Sequence, residues 1–511
     1  MTDWTSGYVA DIGYTYGCYD LLNPLRVKLA LLKVGVVLPQ TGTACELGFG
    51  QGVSANVHAA ASATQWYGTD FNPAQAGYAQ ELAACVEDGP QLFDQSFAEF
   101  CSRTDLPDFD FIGLHGIWSW ISDENRAIIV DFVRRKLKVG GVMYVSYNTQ
   151  PGFAAMVPMR NLMTQHAAMM SPPGAGVVAR VESAMEFANK LIATNPLFSR
   201  INPQVTERLK VMKDQDRNYL AHEYFNRDWQ PMSFSDMAGW LADAKMDFAC
   251  SATYSELVHT LNVTPEQRAM LNEIPDTVLR ESVYDFMINQ MFRRDYWVKG
   301  KRRLQPMEYV EQVRELHVVL CEPASIFKPV INGALGEAQL NESIYLPIVD
   351  LMADHAVRTL GEIEQSLQSK GITLNQVHEA CLLLVSKGAM AVAQSPAATA
   401  LRRPHTDRLN QRLLRQARGG SEVTMLASPV TGSGVPVARI RQLFISAVID
   451  GKESPQEWAQ HAWHLIKSSQ QNMSKQDGTP LSDEEQLLEL NTQAIEFRDN
   501  RLALLRALGI V

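Results

Sequence analysis

The sequence predicts an α/β protein whose first 150 residues build a doubly wound, largely parallel sheet, followed by mostly helical units. Three observations carry this reading. Short apolar runs alternate with helix-period stretches up to about residue 150, the pattern that strands joined by crossover helices impose. A glycine-rich turn, Glu46-Leu47-Gly48-Phe49-Gly50-Gln51-Gly52, closes the first apolar run and opens a helix. Past Phe153 the alternation gives way to methionine-rich helical sequence.

The strands are predicted at Thr43–Leu47, Gln65–Thr69, Gln91–Phe93, Asp110–Leu114 and Val142–Tyr147. Helical stretches Gly52–Ala63, Pro73–Ala84 and Asn125–Leu137 lie between them, the last closed by Lys138-Val139-Gly140-Gly141, a basic residue and then glycine. Phe153 to about Asn218 reads as a helical insertion, broken at Ser171-Pro172-Pro173-Gly174. Beyond it, Phe234–Ala244 is helical, and the strand-like runs Phe248–Tyr254 and Tyr296-Trp297-Val298 are expected to finish the sheet. Residues 305–395 resemble a helix-turn-helix with a wing, through Leu360–Leu367, Leu374–Ser386 and Ala389–Ala393. The expected division is 1–152, 153–218, 219–304, 305–395 and a C-terminal helical unit, 396–511.

The chain of 511 residues is 46% hydrophobic and 20% charged, enough apolar material for several cores and unlike a disordered chain. Its 46 basic and 56 acidic residues give a net charge of -10, which argues against an electrostatic grip on nucleic acid or an anionic membrane. The acidity is uneven: nine basic against sixteen acidic residues place -7 in the first 150. Seven cysteines without a CxxC pair support neither a disulfide frame nor a zinc cluster, and fit a reducing, cytoplasmic compartment. The N-terminus lacks the basic and apolar regions of a signal peptide, and no apolar run reaches the roughly 20 residues of a membrane span.

The glycine turn points to a ligand. Its GxGxG spacing differs from the GxGxxG that seats a diphosphate on a helix N-terminus. Asp70 ends the second strand eighteen residues past Gly52, where a carboxylate can accept both hydroxyls of a ribose. Asp94 follows the third strand, with Gln95-Ser96-Phe97 placed for an adenine edge and face. Glu46, before the first glycine, suits a cation and would repel a diphosphate. Three acids at the carboxyl ends of successive strands fit S-adenosylmethionine, which has adenosine, a sulfonium, an amino group and no phosphate.

These residues resemble the class I S-adenosylmethionine-dependent methyltransferases, whose fold is Rossmann-like. The resemblance implies Gly48, Gly50 and Gly52 around the methionine part, Asp70 with Phe71 at the ribose, and Asp94 with Gln95 at adenine. Tyr219-Leu220-Ala221-His222-Glu223-Tyr224 and Phe292-Arg293-Arg294-Asp295-Tyr296 look like the ends of a methyltransferase-regulatory domain. That domain accompanies the bacterial protein-lysine methyltransferases of outer-membrane proteins. Tyr14-Thr15-Tyr16-Gly17, Leu114-His115-Gly116-Ile117-Trp118-Ser119-Trp120 and Ser146-Tyr147-Asn148 are similar to the same group. What it implies is a protein substrate, methylated on lysine and selected by the C-terminal regions; a homodimer is compatible with it. The rivals are methylation of a small molecule, glycan or nucleic acid, and a non-catalytic cofactor-binding scaffold.

Methyl transfer needs an aligned lone pair, exclusion of water and removal of a proton from a protonated acceptor. A lysine of ordinary pKa needs about 4.6 kcal/mol to be neutral at pH 7, which burial beside a cation can supply. Tyr14, Tyr16 and Trp118 are the aromatic candidates for the acceptor channel, with Tyr19, Trp120 and Tyr147 behind them. His115, just past the fourth strand, could touch the cofactor and carry a proton outward, or could be a turn histidine satisfied by backbone.

Other signals carry less. His222-Glu223 begins like HExxH, but Asn226 stands where the second zinc ligand should be. Arg293-Arg294 with Lys299, Lys301, Arg302 and Arg303 reads as a solvated domain edge. Arg408, Arg412 and Arg415 share a helical face, and without interleaved aromatics an acidic protein contact or exposed face is favoured over nucleic acid.

Overall fold

The structure is a computed structural model that describes residues 7–9, 12–172, 174–474 and 479–511. Pro173, within the expected insertion break, and residues 1–6 of the N-terminal stretch lie outside the described residues.

Seven strands form the central sheet: β1 (Thr43–Leu47), β2 (Gln65–Thr69), β3 (Gln91–Phe93), β4 (Phe109–Leu114), β5 (Leu137–Asn148), β6 (Met246–Ser251) and β7 (Phe292–Lys299). Their order is β3-β2-β1-β4-β5-β7-β6. The first five run parallel, and β7 inserts antiparallel between β5 and β6. The order reverses at β1, between β2 and β4, and a crevice opens there beyond the strands' carboxyl ends. β1 and β4 are buried almost throughout because helices cover both faces of the sheet.

One local expectation is corrected. Lys138–Gly141 is no helix stop: the helix Asp123–Lys136 ends before it, and β5 starts at Leu137, which pairs with Phe109. The glycines lie where the register shifts between Phe109 and Phe111, with Gly140 at φ 83°. They accommodate a bulge inside the strand.

Helices Met156–Met170, Val177–Ala193 and Pro203–Lys213 pack around Met159, Met163, Val181 and Leu209, a core separate from that of the sheet. Arg160 ties this unit to the next by donating to the Tyr224 carbonyl at 2.8 Å.

The remaining strands are β8 (His317–Leu320), β9 (Val330–Gly333), β10 (Gly336–Gln339), β11 (Arg358–Thr359), β12 (Met390–Ala393), β13 (Met425–Ser428) and β14 (Ser433–Pro436). β11-β8-β12 form one small sheet, and β9/β10 and β13/β14 are hairpins. Helices Leu360–Leu367 and Leu374–Ser386 each start at a capping box, Thr359 with Glu362 and Thr373 with Gln376.

Two basic stretches differ from their expected surroundings. The helix Pro396–Ala417 lies against the helix Val53–Ala61, where Arg402 donates to the carbonyl oxygens of Ala59 and Ala60. Arg408 and Arg412 reach Glu87 and Glu81 at 3.3 and 3.6 Å, so their acidic contact is the chain's own sheet domain. Arg293 is no solvated edge. It is 2% exposed and is held by Glu281, Asp285 and Asp295 at 2.6 to 3.0 Å.

Among the described residues no helix is long and apolar enough to cross a membrane.

Candidate functional site

The site grows from the turn after β1. Gly48, Gly50 and Gly52 all have positive φ, 74°, 58° and 67°. Gly52 starts the helix Val53–Ala61, and a Cβ there would lie 2.5 Å from that of Ala79. A Cβ on Gly48 would strike the Ile117 side chain across the crevice. The turn therefore needs glycine both for its backbone and for the space it lines.

Asp70, at the end of β2, is 7% exposed. Its carboxylate accepts from the Gly50 N–H at 2.8 Å and the Asn72 N–H at 3.0 Å. Burial still outweighs these bonds and pushes its pKa up to about 6. Glu46 is 3% exposed, and burial, then the charge of Asp70, pushes it up to about 8. Its Oε2 meets no hydrogen-bond partner among the described residues. Asp70 thus lines the crevice, and Glu46 lies buried near enough to feel its charge.

Gly48, Gly50, Asp70 and Phe71 line one side of the pocket, and Gln95, Ser96 and Phe97 the other. Thr69 Oγ1 donates to the Gln95 carbonyl and fixes that loop to β2. Tyr8 and Tyr14 lean over the pocket, Tyr8 edge-on to Phe71 at 5.8 Å. The space between these walls is ≈ 120 Å³, below the roughly 300 Å³ at which ligand pockets begin. A nucleoside needs more room than the pocket has in this conformation.

His115 lines the same pocket at the end of β4. It stacks on Tyr19, centroids 3.7 Å apart, and its Nδ1 lies 2.8 Å from the Tyr144 hydroxyl. Burial, then the Arg294 charge, lowers its pKa to about 3. It is a neutral ring at physiological pH and a poor proton carrier.

The structure leaves other expected residues outside this pocket. Asp94 is exposed, beyond the end of β3, and does not line it. Tyr16 turns toward the C-terminal unit, edge-on to Tyr78 at 5.1 Å. Trp118 is fully buried in the sheet core, its indole N–H directed at the Met232 sulfur at 3.2 Å. Gly52 shapes the turn from behind the pocket, and Glu46 sits beneath it. Tyr147 is fully buried and donates to Asp295.

Trp120 takes the place expected of Trp118. It lines the pocket and donates to the Glu223 carbonyl at 3.0 Å. Beside it a small chamber of ≈ 20 Å³ is lined by Tyr8, Tyr14, Gly116, Trp120, Tyr219, His222 and Glu223. Tyr219, His222 and Glu223 come from one helix, Arg217–Tyr224, where spacings of three and four put them on one face. The Glu223 carboxyl accepts from Asn148 at 3.4 Å, and burial pushes its pKa up to about 7. That face is the signal that HExxH matching obscured.

A family model described as a predicted methyltransferase regulatory domain matches residues 216–299. This span runs from the helix bearing Tyr219 and Glu223 through β7, so it supplies both a wall of the chamber and two strands of the sheet. A Synechocystis protein, sll1526, described as uncharacterized, is 36% identical over 99% of both chains. A Rickettsia prowazekii protein, RP789, is 23% identical over 66% of this chain and 61% of its own length. The structure of PKMT2 from Rickettsia typhi in complex with AdoHcy superposes with a TM-score of 0.67 at 16% identity, covering 96% of this chain and 98% of that one. The chain belongs to the same family as the Synechocystis protein, has the class I S-adenosylmethionine-dependent methyltransferase fold and carries a methyltransferase regulatory domain.

Proposed function

We propose that the chain is a protein-lysine N-methyltransferase that uses S-adenosylmethionine. The observation that carries this is the pairing of an acid-lined nucleoside crevice with an aromatic chamber closed by one carboxyl group.

The crevice carries groups that would hold the cofactor. Glu46 Oε2 has no hydrogen-bond partner among the described residues, and a Cβ on Gly48 or Gly50 would crowd Ile117 or Tyr14, which line the pocket. Asp70 would hold the ribose hydroxyls, Gln95 and Phe97 the adenine, and Phe71 the ribose edge. Glu46 would answer the ligand's positive charge from beneath. S-adenosylmethionine, when bound, supplies a methyl group activated by its sulfonium.

The chain's own work is to deliver a neutral amine. Tyr8, Tyr14, Trp120 and Tyr219 wall the chamber. Each aromatic face attracts an ammonium or methylammonium by about 0.5–2 kcal/mol. Glu223, with its pKa near 7, accepts the ammonium proton at neutral pH, and Asn148 orients its carboxyl. The walls exclude water, which strengthens these interactions. The relationship to PKMT2 in complex with AdoHcy supports the cofactor.

The test is incubation with methyl-labelled cofactor and a cell lysate, followed by peptide mass spectrometry. The expected outcome is label on lysine side chains, stable to nuclease and glycosidase. Label confined to nuclease- or glycosidase-sensitive material, or to small molecules, contradicts the lysine assignment.

A further inference from the structure

A cavity of ≈ 570 Å³, sharing no lining residue with the crevice, lies where the N-terminal segment meets the two C-terminal units. Two strands line it with consecutive residues: Met390–Val392 of β12 and Ser433–Pro436 of β14. A sheet turned face-on shows every second residue, whereas consecutive residues line a wall only when the strand is edge-on. Both strands are outer members of their sheets, β12 in β11-β8-β12 and β14 in its hairpin.

The edge amides are weakly occupied. On β12 the Ala391 N–H belongs to the ladder with β8, two residues on from the Cys321–Ala389 pair, so the outward amides are those of Met390 and Val392, while on β14 the Gly434 N–H faces the Cys18 thiol. Sulfur is a weak acceptor that a peptide carbonyl would outcompete. Two further buried polar atoms of cavity-lining residues meet no partner among the described residues, Glu322 Oε1 and Arg501 Nε. One accepts and the other donates, the complement of a peptide backbone.

The cavity also adjoins the catalytic crevice. Cys18 and Asp20 line it, while the ring of Tyr19 between them stacks on His115, which lines the crevice. One layer of rings separates the two spaces.

We infer that this cavity binds an extended segment of the acceptor polypeptide by strand addition to the edge of β12, presenting a lysine toward the Tyr19–His115 layer. The inference rests on the protein-substrate reading and names the form in which that substrate is held. Main-chain hydrogen bonds would give affinity with broad tolerance of side chains.

The probe is an acetylated, amidated decapeptide of alternating threonine and lysine, with a control carrying N-methyl groups on alternate backbone amides. Hydrogen exchange of the full chain should show added protection in residues 390–393 with the first peptide and none with the second. Glu322→Gln and Arg501→Gln should each weaken peptide binding at least fivefold in fluorescence anisotropy, with cofactor affinity unchanged. Equal binding of both peptides, protection confined to other segments, or no binding overturns the inference. Because exchange reads binding without transfer, peptide docking without methylation strikes only the lysine reading. Methylation of free acetyl-lysine amide without docking strikes only the strand-addition site.

Discussion

Glu46 and Asp70 place two carboxyl groups under one ligand pocket, with pKa values near 8 and 6. At pH 7 the Glu46 group is largely protonated. A cation bound above it favours the charged form, so binding S-adenosylmethionine should release protons between pH 6 and 8. Calorimetry in buffers of different ionisation enthalpy would read this directly. Proton release should be larger for S-adenosylmethionine than for its uncharged thioether product, and Glu46→Gln should abolish most of the difference. Glu223 makes a separate prediction. Glu223→Gln should lower kcat on a lysine substrate about 10–100-fold and remove the limb of the rate profile near pH 7, leaving cofactor affinity within twofold. Asp70 and Asp94 each stand one residue past a strand, and the sequence treats them alike; Asp70 is turned inward by the Gly50 and Asn72 N–H groups, while Asp94 faces solvent. Trp118 and Trp120 share a 3-10 turn, where residues two apart point about 240° apart; one enters the core and the other the pocket.

At the scale of elements, the turn after β1 is the most constrained. Gly52→Ala would combine a left-handed φ with a 2.5 Å approach to Ala79. Strain and overpacking together should cost about 2–4 kcal/mol, read as a lower denaturation midpoint before any effect on ligand. The five parallel strands were visible in the sequence because buried strands are continuous apolar runs. The start of β5 was hidden by glycines that resemble a helix cap and instead serve a bulge. Residues Tyr219 to Glu223 carry a family resemblance and a broken HExxH pattern, but nothing local says that their helix packs beside Tyr14 and Trp120. Tyr14 was legible as an aromatic candidate and lines the pocket, whereas Tyr8 was hidden, its place being set by Phe71 and His222, about 60 and 210 residues away.

Across the whole molecule, charges inside the fold set its response to pH. Glu46, Asp70, Asp285 and Asp295 all have pKa values raised above those of an unfolded chain, Asp285 to about 7 and Asp295 to about 6. The folded chain therefore keeps protons that the unfolded one releases. Their contribution is fully present below about pH 4 and is lost as pH rises through 6 to 8. Thermal midpoints of the ligand-free chain should fall between pH 6 and 8.5, and Glu46→Gln should flatten that fall. Arg293→Met would leave Glu281, Asp285 and Asp295 without their buried cation, a loss of about 3–5 kcal/mol measurable by urea unfolding at pH 8. The sequence showed these acids and arginines but not their partners, because pairing across the sheet and between units is decided by tertiary contacts.

The most direct measurement is calorimetric titration of S-adenosylmethionine into the intact chain and its Asp70→Ala variant. The account predicts one site in the intact chain and at least tenfold weaker binding in the variant, the cost of two or more charge-assisted ribose hydrogen bonds. Equal affinity in both, or binding of a dinucleotide in place of S-adenosylmethionine, would contradict it.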